Sequence, residues 1–462
     1  MGLGKKFVGW LAKESAQARP STTPHTAQPP PVARTHSPVA VRRPAVKPAP
    51  RQEPTPVILG LDFGTHSTKA MLRVRGSEKA EILLLEESST DGYPWFAAPS
   101  LVRLVGGRLF FGKKATETDG GTLYRSLKVR LLPLDSGSSD GGGLCSDPSP
   151  DFLVACYLSW ALARLKKHID ARYAYGAPRV FVNMAAPMNH FENEELKTRY
   201  LRIIQAAWES VFSADPRPVQ QGDSLDELRS RFGCLLGREV PDRTNRLFAV
   251  LPETVVPIVS LSLDPRIAPG MYMIFDMGAG TTEVSVNYVG ERGADQKVLR
   301  YQDESVVLGG DNFEWIQSCG VPNRESQIVE SLLRVFRRTW YTAYLKDSPN
   351  PATHARWRKF RVLLAGGGAR HPEVEAAIVD ALPQFGYPVG EKLYHVGWHQ
   401  PTDIVADAPQ GAPKNLLALL SVAHGLSVPR QQWPDFFPPG EIEKQQAPEV
   451  AAMPPAYWYL TE

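Results

Sequence analysis

The chain has 462 residues, of which 43% are hydrophobic, so it can build a large core and about three domains. Its net charge is +3, and its apolar runs are shorter than the ~20 residues that a membrane-spanning helix needs. Four cysteines without a CxxC pair, and an opening without a signal-peptide core, predict a cytoplasmic protein with free, mostly buried thiols.

The positive charge is concentrated at the N-terminus, since the first 56 residues carry +7 and the remaining 406 carry −4. A mildly acidic body argues against a dedicated nucleic-acid surface, and we expect no specific nucleic acid as a partner. Residues 1–18 can form a short amphipathic helix with Leu3, Phe7, Trp10 and Leu11 on one face. Residues 2–13 would then contact a membrane surface or a partner; the alternative is a frayed terminus. Residues 19–56 hold eleven prolines and predict a disordered linker.

The ordered body is predicted to begin near Val57. The apolar runs "VILGLDF", "RVFVNMAAP", "MYMIFDM", "EVSVNYV" and "RVLLAGG" predict strands. The stretch "ENEELKTRYLRIIQAAWESVF" predicts an amphipathic helix, and "FLVACYLSWALA" and "LLALLSVAHGL" predict core helices. This alternation predicts an α/β fold. Residues 429–462 are Pro-rich again, end in "YWYL", and predict a disordered C-terminal tail.

Two stretches share one pattern: "VILGLDFGTHSTKAMLRV" and "MYMIFDMGAGTTEVSVNYV". In each, an apolar strand ends at an aspartate, a turn of glycine and threonine follows, and a second strand begins. Glycines allow the backbone to approach a ligand, and successive N–H groups can converge on phosphate oxygens. Because a carboxylate repels phosphate, Asp62 and Asp276 indicate a hard cation between them, and Mg²⁺ is the expected one.

One such hairpin alone would be an ordinary β-turn with a solvated aspartate. Two copies and a third element favour a ligand site. The third element is "FRVLLAGGGARHPEVEAAIVDAL", in which a strand runs into Gly366–Gly368 and then into a helix. A glycine turn at the start of a helix can accept a nucleotide.

The order of these pieces resembles the ATPase domain of DnaK-type (heat shock protein 70 family) chaperones, within the actin/hexokinase-like ATPase superfamily. "LDFGTHSTK" and "FDMGAGTTEVSV" resemble the two phosphate loops of that family, and "LLAGGGARHP" resembles its adenosine motif. "GTLYRSLKVRLL" is similar to the region of the catalytic lysine, "LPETVVPIV" to the segment of the catalytic glutamate, and "VVLGGDNFEWI" to a segment after the second loop. The resemblance spans Val57 to Val428.

The resemblance implies a two-lobed actin-like ATPase fold, with two ribonuclease-H-like mixed sheets flanked by helices and the nucleotide in the cleft between the lobes. Lobe I would comprise residues 57–262 with a returning helix at 414–428, and lobe II residues 263–413. The adenine-side subdomain of lobe II would be reduced, since about 55 residues separate Gly310 from Gly366.

The resemblance also implies roles for individual residues. Asp62 and Asp276 would hold Mg²⁺, and the catalytic residues would be Lys128, Glu253, Asp276 and Thr281. The nucleotide would be bound by Gly64, Thr65, His66, Gly278, Ala279, Gly280, Thr281, Gly310, Arg338, Gly366, Gly367, Gly368 and Arg370. Two positions depart from the family: Ala279 replaces a glycine, which requires a negative φ there, and Thr254 replaces the usual proline after Glu253.

The function expected from the resemblance is ATP–Mg²⁺ binding with slow hydrolysis, in a switch whose ATP and ADP states a protein partner senses. Because 34 residues follow Val428, no peptide-binding domain is expected. The alternatives are an actin-like, filament-forming ATPase and a nucleotide-binding scaffold without hydrolysis. A small-molecule kinase would need an additional acid near the γ-phosphate, and we expect none beside either loop.

Overall fold

The computed structural model describes residues 55–86, 93–131, 147–173, 178–188, 193–242, 247–293, 296–310, 324–347, 357, 360–368, 372–381, 403–405 and 419–437. Within these residues the protein is a mixed α/β structure with three sheets and eight α-helices. The predicted N-terminal helix, residues 19–54 of the predicted linker and residues 438–462 of the predicted tail lie outside the described residues.

In chain order the strands are β1 (Pro56–Phe63), β2 (Ser67–Val74), β3 (Ala80–Leu83), β4 (Ala98–Pro99), β5 (Val102–Val105), β6 (Arg108–Phe111), β7 (Thr122–Tyr124), β8 (Arg179–Ala186), β9 (Asp223–Ser224), β10 (Phe248–Pro252), β11 (Gly270–Met277), β12 (Thr282–Val289), β13 (Lys297–Val306), β14 (Arg361–Ala365), β15 (Ile404–Val405) and β16 (Asp435–Phe437). The helices are α1 (Lys113–Glu117), α2 (Pro150–Arg172), α3 (Glu194–Phe212), α4 (Leu225–Leu236), α5 (Val256–Ser262), α6 (Arg324–Asp347), α7 (Pro372–Ala381) and α8 (Ser421–Ser427).

The largest sheet has seven strands in the order β10-β8-β1-β2-β3-β15, with β4 paired to β2. Strands β1 and β2 form an antiparallel hairpin, β3 continues it antiparallel, and β8 and β10 add parallel strands on the other side of β1. The residues of β1 are buried almost throughout, as expected for a central strand covered on both faces.

A five-stranded sheet repeats this arrangement in the order β14-β11-β12-β13-β16. The hairpin β11–β12 and the antiparallel β13 correspond to β1–β2 and β3, and the parallel β14 corresponds to β8. The five strands predicted from apolar runs are thus confirmed, and each repeated sequence pattern forms a hairpin at the centre of its own sheet.

The helices begin where local chemistry favours them. Ser149 caps α2 by accepting a hydrogen bond from the N–H of Phe152, and Pro150 occupies the first turn. Asn193 caps α3 by accepting from the N–H groups of Glu195 and Leu196 at 3.0 and 3.1 Å. The amphipathic helix predicted from "ENEELKTRYLRIIQAAWESVF" is therefore confirmed as α3, and it packs with α2 on the seven-stranded sheet.

Helix α8 packs closely against α5 and against β1. A Cβ on Gly60 would lie 2.2 Å from the carbonyl oxygen of Ala423, and one on Gly425 would lie 2.1 Å from that of Val256. Only glycine permits such contacts, so these two positions set how closely α8 approaches β1 and α5. This packing places the first residues of α8 beside the carboxyl end of β1.

Two segments differ from the sequence-based expectation. Strand β15, expected in the second lobe, pairs with β3 of the seven-stranded sheet. Residues 429–437, expected to be disordered tail, are placed in the structure, and β16 pairs in parallel with the edge strand β13. Apolar side chains explain the second difference, because Phe436 is 5% exposed against the core. No helix within the described ranges is long and apolar enough to cross a membrane.

Candidate functional site

The turns of the two central hairpins line the same cavity, which has a volume of about 450 Å³. Asp62, Gly64, Thr65 and His66 line it from the β1–β2 turn. From the β11–β12 turn it is lined by Asp276, Gly278, Ala279 and Thr281. The volume lies in the range of about 300–1,000 Å³ that is typical of small-molecule sites.

The two turns are built alike. The N–H of Gly64 donates to the carbonyl oxygen of Ser67 at 3.2 Å, and that of Gly278 donates to the carbonyl oxygen of Thr281 at 2.8 Å. The φ of Ala279 is not positive, so the alanine that replaces a glycine fits this turn. Residues of two turns with the same internal hydrogen bond therefore line one cavity.

Strand direction explains why acids gather there. The parallel strands β1, β8 and β10 end on one edge of their sheet, and Glu253 directly follows β10 with its N–H bonded to the carbonyl oxygen of Ala186 at 2.9 Å. Asp62 lies at the end of β1 and Asp276 near the end of β11. The carboxyl edges of such strands are where ligands commonly bind in α/β sheets.

Glycines allow the surrounding loops to touch backbone to backbone. A Cβ on Gly280 would lie 2.8 Å from Val129 Cγ2 and 2.9 Å from Thr65 Cγ2, so the second turn packs on the first. The N–H of Gly310 donates to the carbonyl oxygen of Gly278 at 2.9 Å. A Cβ on Gly368 would lie 2.7 Å from that same carbonyl oxygen.

The third predicted element completes the wall. Gly366, Gly367 and Gly368 follow β14, and all three line the cavity together with Gly310. Gly366 has a φ of 77°, which favours glycine, whereas the space before Gly367 is open to 4 Å. Gly367 therefore leaves open space beside its Cα, at a position that lines the cavity.

Six charged side chains line the cavity: Asp62, Lys69, Lys128, Glu253, Asp276 and Glu283. Lys69 Nζ donates to Asp62 Oδ2 at 2.7 Å, and Lys128 Nζ donates to Glu253 Oε1 in a buried ion pair. Each lysine thus compensates one acid. Asp276 and Glu283 have no lysine of their own within the described part of the cavity.

This imbalance changes the ionisation of the carboxyl groups. Burial, together with the negative charges of Glu253 and Asp62, raises the pKa of Asp276 to about 7. Burial and Glu253 also raise the pKa of Glu283 well above its usual value. Burial alone would lower the pKa of Lys128, but the charge and hydrogen bond of Glu253 outweigh it and raise that pKa.

The donor set fits a divalent cation. Asp276 and Glu283, which have no ion-pair partner among the described residues, line the same cavity as Asp62, and Glu283 Oε2 is buried without a hydrogen-bond partner among those residues. Within those residues no group of three or more His, Cys, Asp or Glu side chains is placed to hold a metal directly. Mg²⁺ keeps several waters and needs only one or two carboxylates, so its requirements suit this site.

Several predicted site residues lie elsewhere. Arg338 on α6 forms an ion pair with Glu304 of β13, and it does not line the cavity. Gly280 lies beneath the second turn, against Thr65 and Val129. Arg370 lies outside the described residues. The imidazole of His66 stacks on the ring of Tyr93 at 4.5 Å, at the rim of the cavity.

Two charged residues of the cavity were not found from the sequence. Lys69 and Glu283 each sit in the second strand of a hairpin, where alternation makes a polar residue look solvent-facing. The statement that neither loop has an additional acid beside it is wrong, because Glu283 follows the second turn and is 4% exposed. Its place two residues after Thr281 was the signal from which it could have been predicted.

No protein-family model and no curated protein matches this chain.

Proposed function

We propose that this protein binds ATP–Mg²⁺ between two lobes of an actin-like ATPase fold, hydrolyses ATP slowly, and acts as a nucleotide-dependent switch. The observation that carries the proposal is the pair of like-built hairpin turns, each with a strand-end aspartate, that line one cavity. The repeated strand order of the two sheets supports the actin-like assignment.

In the proposed reaction, the residues that line the cavity have separate roles. Asp62 and Asp276 would hold Mg²⁺, in part through waters, and the ion would shield the phosphate charges. N–H groups of Thr65, His66 and Ala279 donate to phosphate oxygens, and Gly366–Gly368 with Gly310 lie against the nucleoside. The Thr281 hydroxyl donates to the terminal phosphate, Lys128 stabilises developing charge, and Glu253 orients the attacking water.

Calorimetry with ATP tests the binding half of this proposal. We expect Asp276→Ala to abolish the part of the ATP affinity that depends on Mg²⁺. We expect Gly367→Ala to lower the ATP affinity, because its methyl group enters the cavity. Lys114→Ala is the control, because that exposed lysine lies outside the cavity wall. Equal ATP affinity with and without Mg²⁺ in the parent protein would refute the role of the aspartates.

Phosphate release tests the hydrolysis half. Lys128→Ala should lower turnover by about 10²–10³-fold, the usual effect of removing one transition-state donor. Absence of turnover in the parent would favour the nucleotide-binding scaffold. An increase in light scattering on adding ATP would instead favour a filament. A switch requires that light scattering stay constant and that the small-angle scattering curves of the ATP-bound and ADP-bound protein differ.

Glu283 gives specific support to a second candidate, a small-molecule kinase. A buried carboxylate, one oxygen of which has no hydrogen-bond partner in the described part of the chain, could accept the proton of a substrate hydroxyl. Under this alternative ATP consumption rises when a hydroxyl-bearing substrate is added, and Glu283→Gln abolishes the increase. Under the switch hypothesis a panel of polyols and sugars leaves ATP consumption unchanged.

A further inference from the structure

Three buried hydroxyl groups lie together beside the turn between β1 and β2. They belong to Thr68 in β2, to Ser100 directly after β4, and to Tyr157 in α2. All three residues are closed to solvent, at 0% exposure. Within the described ranges the cavity wall does not include them. We call these three residues the hydroxyl cluster.

A chain of hydrogen bonds holds the hydroxyl cluster together. The Tyr157 hydroxyl donates to Thr68 Oγ1 and to the carbonyl oxygen of Pro99, each at 3.0 Å. The hydroxyl oxygens of Thr68 and Ser100 lie 2.9 Å apart, and one group donates to the other. Because a buried polar group without a partner is costly, these bonds tie α2, β2 and β4 to one another.

The hydroxyl cluster meets both arms of the turn. On the β1 side, the ring of Tyr157 lies 5.7 Å from that of Phe63, which directly precedes Gly64. On the β2 side, Thr68 belongs to the strand that continues from the turn. The N–H of Ser100 also donates to the carbonyl oxygen of residue 66 at 2.9 Å. Every residue from Gly64 to Ser67 lines the cavity, so the cluster supports the cavity wall from behind.

The second hairpin is held differently at the equivalent position. Thr282 stands opposite Met277 in the β11–β12 pair. Thr68 occupies the same place, opposite Phe63, in the β1–β2 pair. The Thr282 hydroxyl donates directly to the carbonyl oxygen of Leu308 at 2.6 Å. A change in the hydroxyl cluster therefore acts on the first turn and not on the second.

We propose that Tyr157 is a positioning residue, which holds the β1–β2 turn in the conformation that binds phosphate groups. The inference rests on the proposed function for the identity of the ligand. Because its side chain is closed to solvent, Tyr157 acts through Thr68 and Pro99. Without the hydroxyl the turn spends less time in the competent conformation, and the apparent ATP affinity falls with that fraction.

Calorimetry with ATP–Mg²⁺ tests the proposal in Tyr157→Phe, which keeps the ring beside Phe63 and removes the hydroxyl alone. We expect the ATP affinity to fall about fivefold, the usual effect of one buried hydrogen bond. Tyr272→Phe is the matched control, because the buried Tyr272 donates to the carbonyl oxygen of Ala268 at 2.6 Å, near the start of β11. Both variants should melt slightly below the parent, but Tyr272→Phe should bind ATP as the parent does.

Substitutions at Thr68 separate positioning from packing. Thr68→Ser keeps the hydroxyl and should retain the ATP affinity of the parent. Thr68→Val keeps the shape without the hydroxyl and should weaken ATP binding as Tyr157→Phe does. Because both changes act on one hydrogen bond, the double variant should lose less affinity than the product of the two single losses. Independent, multiplying losses would overturn the coupling of these two residues.

Hydrogen exchange without nucleotide reports on the turn itself. The N–H groups of Gly64 and Ser100 both bond to carbonyl oxygens of the turn, and we expect them to exchange faster in Tyr157→Phe and not in Tyr272→Phe. If the parent does not bind ATP, the proposed function fails, whereas faster exchange would still support the role of Tyr157 in holding the turn. Unchanged exchange would overturn the proposal. Unchanged ATP affinity in Tyr157→Phe, beside a parent that binds ATP, would also overturn it.

Discussion

Lys128 and Glu253 stand 125 positions apart in the chain and form an ion pair that is almost closed to solvent. Lys128 precedes the short 3₁₀ turn of residues Val129–Leu131, and Glu253 directly follows the β10 strand. Both are assigned to catalysis in our proposal. In the structure described here, each is also the counter-charge that allows the other to be buried.

The first prediction is that Lys128→Ala destabilises the fold. Removing one partner of a buried pair leaves an uncompensated charge, which typically costs about 3–5 kcal/mol. Urea unfolding should show this loss, and replacing both residues with methionine should recover much of it. Lys114→Ala should cost under about 1 kcal/mol, since its pair with Glu117 is exposed. Equal losses for both lysines would contradict a structural role for the buried pair.

The second prediction concerns pH and Asp276. Burial raises its pKa to about 7 in the folded protein, against about 4 in the unfolded chain. Between these values the folded state holds a proton that the unfolded state has lost, so this group makes stability fall as pH rises from about 4 to about 7. Above about 7 its contribution is constant.

Asp276→Asn removes that titration. As pH rises from about 4 to about 7, the unfolding free energy should therefore fall less in the variant than in the parent. Chemical unfolding at several pH values measures the difference. Asp226→Asn is the control, because Asp226 is 92% exposed and its substitution should leave the curve parallel to that of the parent. Parallel curves for Asp276→Asn would show that its carboxyl group is not perturbed.

The third prediction compares two neighbouring glycines in unlike surroundings. A Cβ on Gly366 would lie 2.3 Å from the carbonyl oxygen of Met277, and its φ is 77°. A Cβ on Gly367 meets no atom within 4 Å. Gly366→Ala should therefore lower the melting temperature, while Gly367→Ala leaves it unchanged. Similar melting temperatures for the two variants would mean that the tight turn can relax.

Much of this arrangement could be read from local sequence patterns. An apolar run that ends at an aspartate and continues through glycine and threonine predicted both central hairpins, because strand burial and turn geometry are local requirements. The same patterns predicted that Asp62 and Asp276 hold one cation between them. Their meeting at one cavity is consistent with the repeated strand order of the two sheets.

Other features depend on contacts between distant segments. Glu283 alternates with apolar neighbours as a solvent-facing residue would, and it is buried because the cavity lies on that face of β12. The resemblance implied that Arg338 binds the nucleotide, but Arg338 forms an ion pair with Glu304 of β13. The pairing of β16 with β13 was not predicted, because the prolines around β16 are typical of a disordered segment.

The fourth prediction concerns the segment Val428–Phe437, which joins α8 on the seven-stranded sheet to the edge of the five-stranded sheet. Trp433 organises it: its Nε1 donates to the carbonyl oxygen of Val428 at 3.1 Å, and Arg430 lies 4.2 Å above its ring. The ring also packs edge-on against Phe436. Trp433→Ala removes all three contacts and should release β16 from β13.

Hydrogen exchange measures this release, because the N–H of Asp435 donates to the carbonyl oxygen of Gln296 at 2.9 Å. We expect faster exchange at Asp435 in Trp433→Ala, and unchanged exchange in Gln431→Ala, whose side chain is exposed in the same segment. If the segment also restrains the two sheets relative to each other, Trp433→Ala should speed release of a fluorescent ADP analogue. Unchanged exchange at Asp435 would mean that β16 is held by its backbone pairing and Phe436 without help from Trp433.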